Sequence, residues 1–355
     1  MLIRFFLLVL GVSALLPTLT RAEEAVVGSG STGVSVARRT LTMEELTRAL
    51  SPDSPLQEWI TRLESTISAG ESKEFDTFLR ANWLLDAIMS PVHNQPHRVP
   101  ADIETAFTQG TRASWASRSL AIDYLGHQFR FLRVHSLGGR AGLLFRSAGD
   151  AGQLNYCLFS VATSQDGSLG AQDLYVVGMG EWLSDTLRRG YLTLVESLDP
   201  RGESGRRAGL YVDSLPRITA MQAALAQRDY PRVLALSSQL PTEVRQDRQI
   251  LLTRLEAAEH TSLADRAKVF DEWKALHPNP EQLPLKWADY HIAAGRFHEA
   301  RGVLAALNQR LGGDSYLMLR LGEIKMLANY HAAGQLIGPR PGPGGEEPER
   351  AENRP

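Results

Sequence analysis

Residues 290–307 read YHIAAGRFHEARGVLAAL. Gly295 separates two short runs, and beyond it Phe297, Ala300, Leu304 and Leu307 recur at helical spacing. Glycine takes the left-handed conformation that ends one helix and lets the next begin almost at once, so the stretch predicts a helical hairpin. Ala300 is expected where the second helix crosses the first, near Ala288. Axes about 8–10 Å apart leave little room there for a larger side chain. Working outward, Tyr330 and Ala333 repeat the Phe297 and Ala300 pair 33 residues later. Ala264 and Ala267 precede it by 33, and Tyr230 and Val233 lie 34 further back. Repetition at this interval predicts stacked helix pairs over residues 213–337, a region without strand-like alternation.

Gly295, Phe297, Ala300, Leu304 and Leu307, with Ala288 seven positions before the glycine, resemble the second-helix signature of a tetratricopeptide repeat. Ala264 departs from it by lacking the aromatic, as do Val233 and Ser237 by replacing an alanine and an apolar residue. The resemblance implies a helical-repeat domain that presents a surface to a protein or peptide partner. Trp273, Trp287 and Tyr290 are the residues expected to line it.

The first half has another texture. Thr42 with Glu45 predicts a capping box. Leu56, Trp59, Ile60, Leu63 and Ile67 form one helical stripe; Phe75, Phe78, Leu79, Leu85 and Ile88 form a second, ended at Ser90-Pro91. ADIETAFTQG (101–110) reads as one more short helix. Four strand-like runs follow, HQFRFLRVHS, GRAGLLFRSA, QLNYCLFSVATS and GAQDLYVVG, separated by Gly138-Gly139, Gly149 to Gly152 and Asp166-Gly167. Links this short predict an antiparallel meander in chain order, because parallel pairs need long crossovers. A helix with Leu183, Leu187, Tyr191 and Leu194 on one face closes the region. The expected fold class is therefore an α+β domain over residues 40–200, then an all-α helical-repeat domain over 213–337.

In element order, residues 40–200 resemble the nuclear-transport-factor-2-like superfamily, whose cone is cystatin-like. That resemblance implies a pocket. Ketosteroid-isomerase-like members use an aspartate with a tyrosine to remove a proton beside a carbonyl. Asp173 and Tyr156 on neighbouring strands, with Asp123 and Tyr124 ahead of the first, are the corresponding candidates. The competing reading has Asp173 capping a strand end or pairing with an arginine such as Arg130 or Arg146, and the tyrosines in the core.

Other features narrow the classes. Formal net charge is −2 with no long basic block, unlike a nucleic-acid binder. His93 and His97 share the spacing of four used by metal ligands, but Pro91 and Pro96 break any helix there, and a solvated loop is expected. Gly178-Met179-Gly180 has half a dinucleotide fingerprint and reads as a strand-to-helix turn. Cys157 is the single cysteine, set in an apolar run, and is expected to pack as a small hydrophobe. No cofactor and no metal are implied.

MLIRFFLLVLGVSALLPTLTRA (1–22) has the layout of a secretory signal peptide, with Arg4, an apolar core to Leu16, and Thr20 and Ala22 at a small-x-small cleavage site. Residues 23–39 read as a flexible linker, and 338–355, rich in proline and glycine, as a disordered tail. No later stretch is long enough to span a membrane, so the expectation is an exported protein, periplasmic in a bacterium. Its expected function is that of a non-catalytic scaffold or adaptor; the alternative is a small-molecule-binding or ketosteroid-isomerase-like module in the α+β domain. The mature chain is expected to begin at Glu23. N-terminal sequencing of protein from the native host checks this, and an intact Met1 in a membrane fraction would mean a retained anchor.

Overall fold

The computed structural model describes residues 38–70, 72–93, 104–105, 107–109, 128–149, 154–197, 203–278 and 283–337. Strand β1 (Arg38–Thr40) leads into helix α1 (Met43–Ala49). The expected capping box starts α1: the Thr42 hydroxyl accepts the Glu45 N–H at 3.2 Å, and the Glu45 carboxylate accepts the Thr42 N–H at 2.9 Å. Helix α2 (Pro55–Ser68) is capped by Ser54 and buries its whole predicted stripe, from Leu56 to Ile67.

The second stripe forms two helices rather than one, α3 (Ser72–Phe78) and α4 (Ala81–His93). The break falls where the chain touches the sheet, because the Arg80 N–H donates to the Ala171 carbonyl at 2.9 Å. At its other end α4 runs past Pro91 to His93 instead of stopping at Ser90. A proline there cannot donate to the Ala87 carbonyl four residues back. Arg188 makes good the loss, donating to the carbonyls of Ala87 at 2.6 Å and Ile88 at 3.1 Å.

The sheet comprises β1, β2 (Gln128–Leu137), β3 (Arg140–Ala148), β4 (Leu154–Ser164), β5 (Leu169–Val176) and β6 (Glu181–Trp182). It is antiparallel, in the order β2-β3-β4-β5-β6, so the four predicted runs pair in sequence as expected. Gly138 and Gly139, with φ of 56° and 77°, make the two-residue turn between β2 and β3. β1 pairs with the far end of β4, Arg38 opposite Ser164 and Thr40 opposite Ala162. Arg38 and Arg39 thus belong to the sheet and not to the predicted linker; residues 23–37 lie outside the described residues.

One face of the sheet carries Phe129, Phe145, Cys157, Phe159, Leu174 and Val176 against α2, α3, α4 and helix α5 (Leu183–Ser197). Phe145 stacks on Phe129 with ring centroids 4.7 Å apart and meets Phe159 edge-on at 5.4 Å. Cys157 is buried there, and burial pushes its thiol well above the ordinary range, as suits a packing role. The opposite face, with Leu144, Tyr156, Leu158 and Val177, is buried too. At Gly142 β3 runs so close to β4 that a Cβ would lie 2.2 Å from the Phe159 carbonyl oxygen.

Helices alone follow: α6 (Glu203–Ala226), α7 (Tyr230–Ser238), α8 (Thr242–Arg245), α9 (Arg248–Glu259), α10 (Leu263–Leu276), α11 (Pro284–Ala293), α12 (Phe297–Arg310) and α13 (Ser315–Ile337). The fold class is thus the one the sequence predicts. α7, α10 and α12 begin at Tyr230, Leu263 and Phe297, 33 and 34 residues apart. Gly295 has φ of 70°, and the Arg296 N–H reaches back to the His291 carbonyl at 2.8 Å, so the opening stretch is a helix–glycine–helix turn. Arg228, with φ of 60°, ends α6 in the same way without glycine. The fourth repeat differs: Tyr330 lies inside α13, an unbroken helix in which no left-handed residue separates two halves.

The chain divides into two compact units, Met1–Lys286 and Trp287–Pro355. The first helices of the expected repeat domain share a unit with the sheet, and the boundary falls within α11. In the second unit Ala300 is fully buried with Leu304 and Leu307, while Ala306 is exposed. Ala300→Leu is expected to cost about 1–3 kcal/mol by overpacking. Ala306→Leu should cost less than about 0.5 kcal/mol. Chemical denaturation of the full chain compares them, and equal tolerance of both would show that Ala300 does not sit in a tightly packed contact.

Candidate functional site

Asp173 lies on β5 opposite Ser160 of β4, with no exposed side-chain surface. It borders a cavity of about 750 Å³ whose wall also includes Arg38, Ser136, Arg140, Gln172 and Arg188. Its carboxylate is already occupied. Oδ1 accepts the Leu174 N–H at 2.9 Å and the Ser184 N–H at 3.0 Å, and Oδ2 accepts the Ser184 hydroxyl and Arg140 at 2.6 Å. Ser184 is in the first turn of α5, where backbone N–H groups have no helical partner, so Asp173 caps that helix from a neighbouring strand. Burial pushes its carboxyl up from the ordinary value, against the pull of Ser184 and Arg140.

The sequence pairs Asp173 with Tyr156, and the two do share a sheet face. The Val177 N–H donates to the Tyr156 carbonyl, however, which puts Tyr156 four positions along from Asp173's partner Ser160. That is about 13 Å of strand. The proton-abstracting pair is therefore not assembled. The arginine partner of Asp173 is Arg140, neither Arg130 nor Arg146. Asp123, Tyr124 and His97 lie outside the described residues. His93 ends α4, and no group of three or more His, Cys, Asp or Glu placed to hold a metal ion occurs among the described residues.

A second charged cluster ties the sheet to the first helices. Glu181 of β6 accepts two hydrogen bonds from Arg189, at 2.6 and 2.7 Å, and one from Gln249 at 3.2 Å. Arg248, whose Nε lies 3.2 Å from Glu181, also donates to the Met179 carbonyl in the turn before β6. Burial alone would push Glu181 up, but the Arg189 hydrogen bonds and the Arg189 and Arg248 charges hold it below its ordinary value. The guanidinium of Arg248 sits 4.7 Å over the ring of Trp273. Trp273 is thus wholly buried and offers no surface to a partner, contrary to the sequence expectation. Tyr290, in the second unit, is also buried, with Arg296 4.6 Å above its ring. Trp287 is half-buried and packs on Tyr290 and His291.

The exposed apolar surface of the second unit lies elsewhere, on α13. Leu317 and Ile324 are buried on one side of this helix, while on another Leu319 is 62% exposed, Met326 67% and Tyr330 83%. Their spacing of seven and four residues places them on a single stripe. Between α12 and α13 runs a groove of about 500 Å³. The sequence held a signal for this surface: SYLMLRLGEIKMLANY carries two apolar stripes, and a helix at the surface needs only one.

No protein-family model, curated protein or solved structure matches this chain.

Proposed function

We propose that this chain is an exported binding protein whose C-terminal helical unit docks a protein or peptide partner. The observation that carries the reading is the exposed stripe of Leu319, Met326 and Tyr330 on α13, an apolar surface of the kind that marks interaction sites. The 33- and 34-residue spacing of helix starts supports a degenerate tetratricopeptide-like architecture for the helices. The signal-peptide-like layout of residues 1–22 supports export. A binding role is favoured over acid–base catalysis because the lone pairs of Asp173 are committed to structural donors. The cavity beside Asp173 supports a second reading, small-molecule binding.

The test uses the full mature chain and its Leu319→Lys/Met326→Lys variant as baits in extract from the native compartment. The proposal expects a stoichiometric partner held by the wild type and lost by the variant, with unchanged circular dichroism. Equal retention by both baits would overturn it.

A further inference from the structure

We infer that the groove between α12 and α13 receives an acidic amphipathic helix from the partner, an inference that rests on the binding reading above. Met318, Leu321, Gly322 and Lys325 line it at i, i+3, i+4 and i+7, so a single face of α13 forms one wall. From α12 come Gly302 and Ala305 on the floor, with Arg301 and His298 beside them.

The charges of the groove indicate what fits it. Arg301 and Lys325 have no ion-pair partner among the described residues, whereas Arg320 on the same helix is paired with Glu323 at 3.1 Å. An apolar floor flanked by uncommitted cations matches an apolar stripe flanked by carboxylates. The two glycines point the same way. Glycine inside a helix is markedly less favourable than alanine. A Cβ added at Gly302 or Gly322 would nevertheless meet nothing within 4 Å, so packing within the fold does not require glycine at either position. Both positions leave room for another backbone to approach.

Other occupants fit less well. Residues 338–355, GPRPGPGGEEPERAENRP, supply carboxylates but no large apolar side chain to fill the floor. A second copy docked groove to groove about a two-fold axis would set Arg301 and Lys325 against their own counterparts.

The probes are two synthetic amphipathic helices of about 18 residues, or five turns. They share a leucine stripe, flanked by glutamates in one and by lysines in the other. Binding to the full chain is followed by fluorescence anisotropy, and light scattering reports the oligomeric state. The glutamate peptide is expected to bind at least about tenfold more tightly than the lysine peptide, with the advantage shrinking as salt is added. Gly302→Ala/Gly322→Ala should raise the thermal midpoint and yet weaken the glutamate peptide at least about tenfold. Arg301→Glu/Lys325→Glu should reverse the preference. Equal affinity for both peptides, or full affinity in the stabilised alanine variant, would overturn the inference. A dimer that the alanine variant dissociates would also overturn it, making a second copy the occupant. If the groove variants keep the native partner while Leu319→Lys/Met326→Lys loses it, the binding proposal stands and the groove inference falls. If all of these variants keep it, both fall.

Discussion

Asp173→Ala is expected to lower the unfolding free energy by about 3–5 kcal/mol, the cost of removing one partner from a buried charged network. The substitution strands the Leu174 and Ser184 N–H groups and the Ser184 hydroxyl in the interior. Arg140 contributes less to the loss, because its side chain is 38% exposed and water can take over part of its solvation. Ser184→Ala removes a single hydroxyl donor and should cost about 1 kcal/mol. Urea denaturation followed by circular dichroism compares the three proteins. A fully stable Asp173→Ala variant would show that the carboxylate is not a structural bracket and would reopen its candidacy as a general base.

Gly142→Ala should cost about 3 kcal/mol, at the upper end for overpacking. The added methyl would meet the Phe159 carbonyl oxygen at 2.2 Å and its carbon at 2.8 Å. Both are backbone atoms of the central strand β4, which no rotamer change can move aside. Gly209→Ala in α6 is the opposite case, since a Cβ there meets nothing within 4 Å and the backbone is helical. It should stabilise by about 0.5–1 kcal/mol. Thermal unfolding of the two variants should therefore move in opposite directions. A neutral Gly142→Ala would mean that β3 and β4 lie further apart than described.

What the sequence disclosed was what local periodicity encodes. The α2 stripe, the Thr42 capping box, the four-strand meander and the Gly295 turn each depend on residues within a few positions of one another, and each appears as expected. Long-range partners were not legible. Asp173 and Arg140 are 33 residues apart, and Trp273 is covered by an arginine 25 residues earlier. An aspartate beside tyrosines on a strand looks the same whether it faces a substrate or caps a distant helix. Aromatic residues likewise look the same whether they line a groove or fill a core, which is why Trp273 and Tyr290 were expected at the surface. The split of α3 from α4 has the same origin: helical periodicity runs straight through Leu79 and Arg80, and only the bond to Ala171 interrupts it.

The pairing of β1 with β4 has a consequence in time. Arg38 to Thr40 are synthesised first, and Ala162 to Ser164 follow more than 120 residues later. At about 5–20 residues per second, the first strand waits roughly 6–25 s for its partner to exist. Closing so large a loop also defers the reward for that contact until the rest of the sheet has gathered. The meander from β2 to β5 can zip up locally as it appears, whereas β1 must be recruited from across the chain. Until then the nascent chain exposes the rim of β4 that β1 will cover, an open strand edge that a chaperone would have to shield.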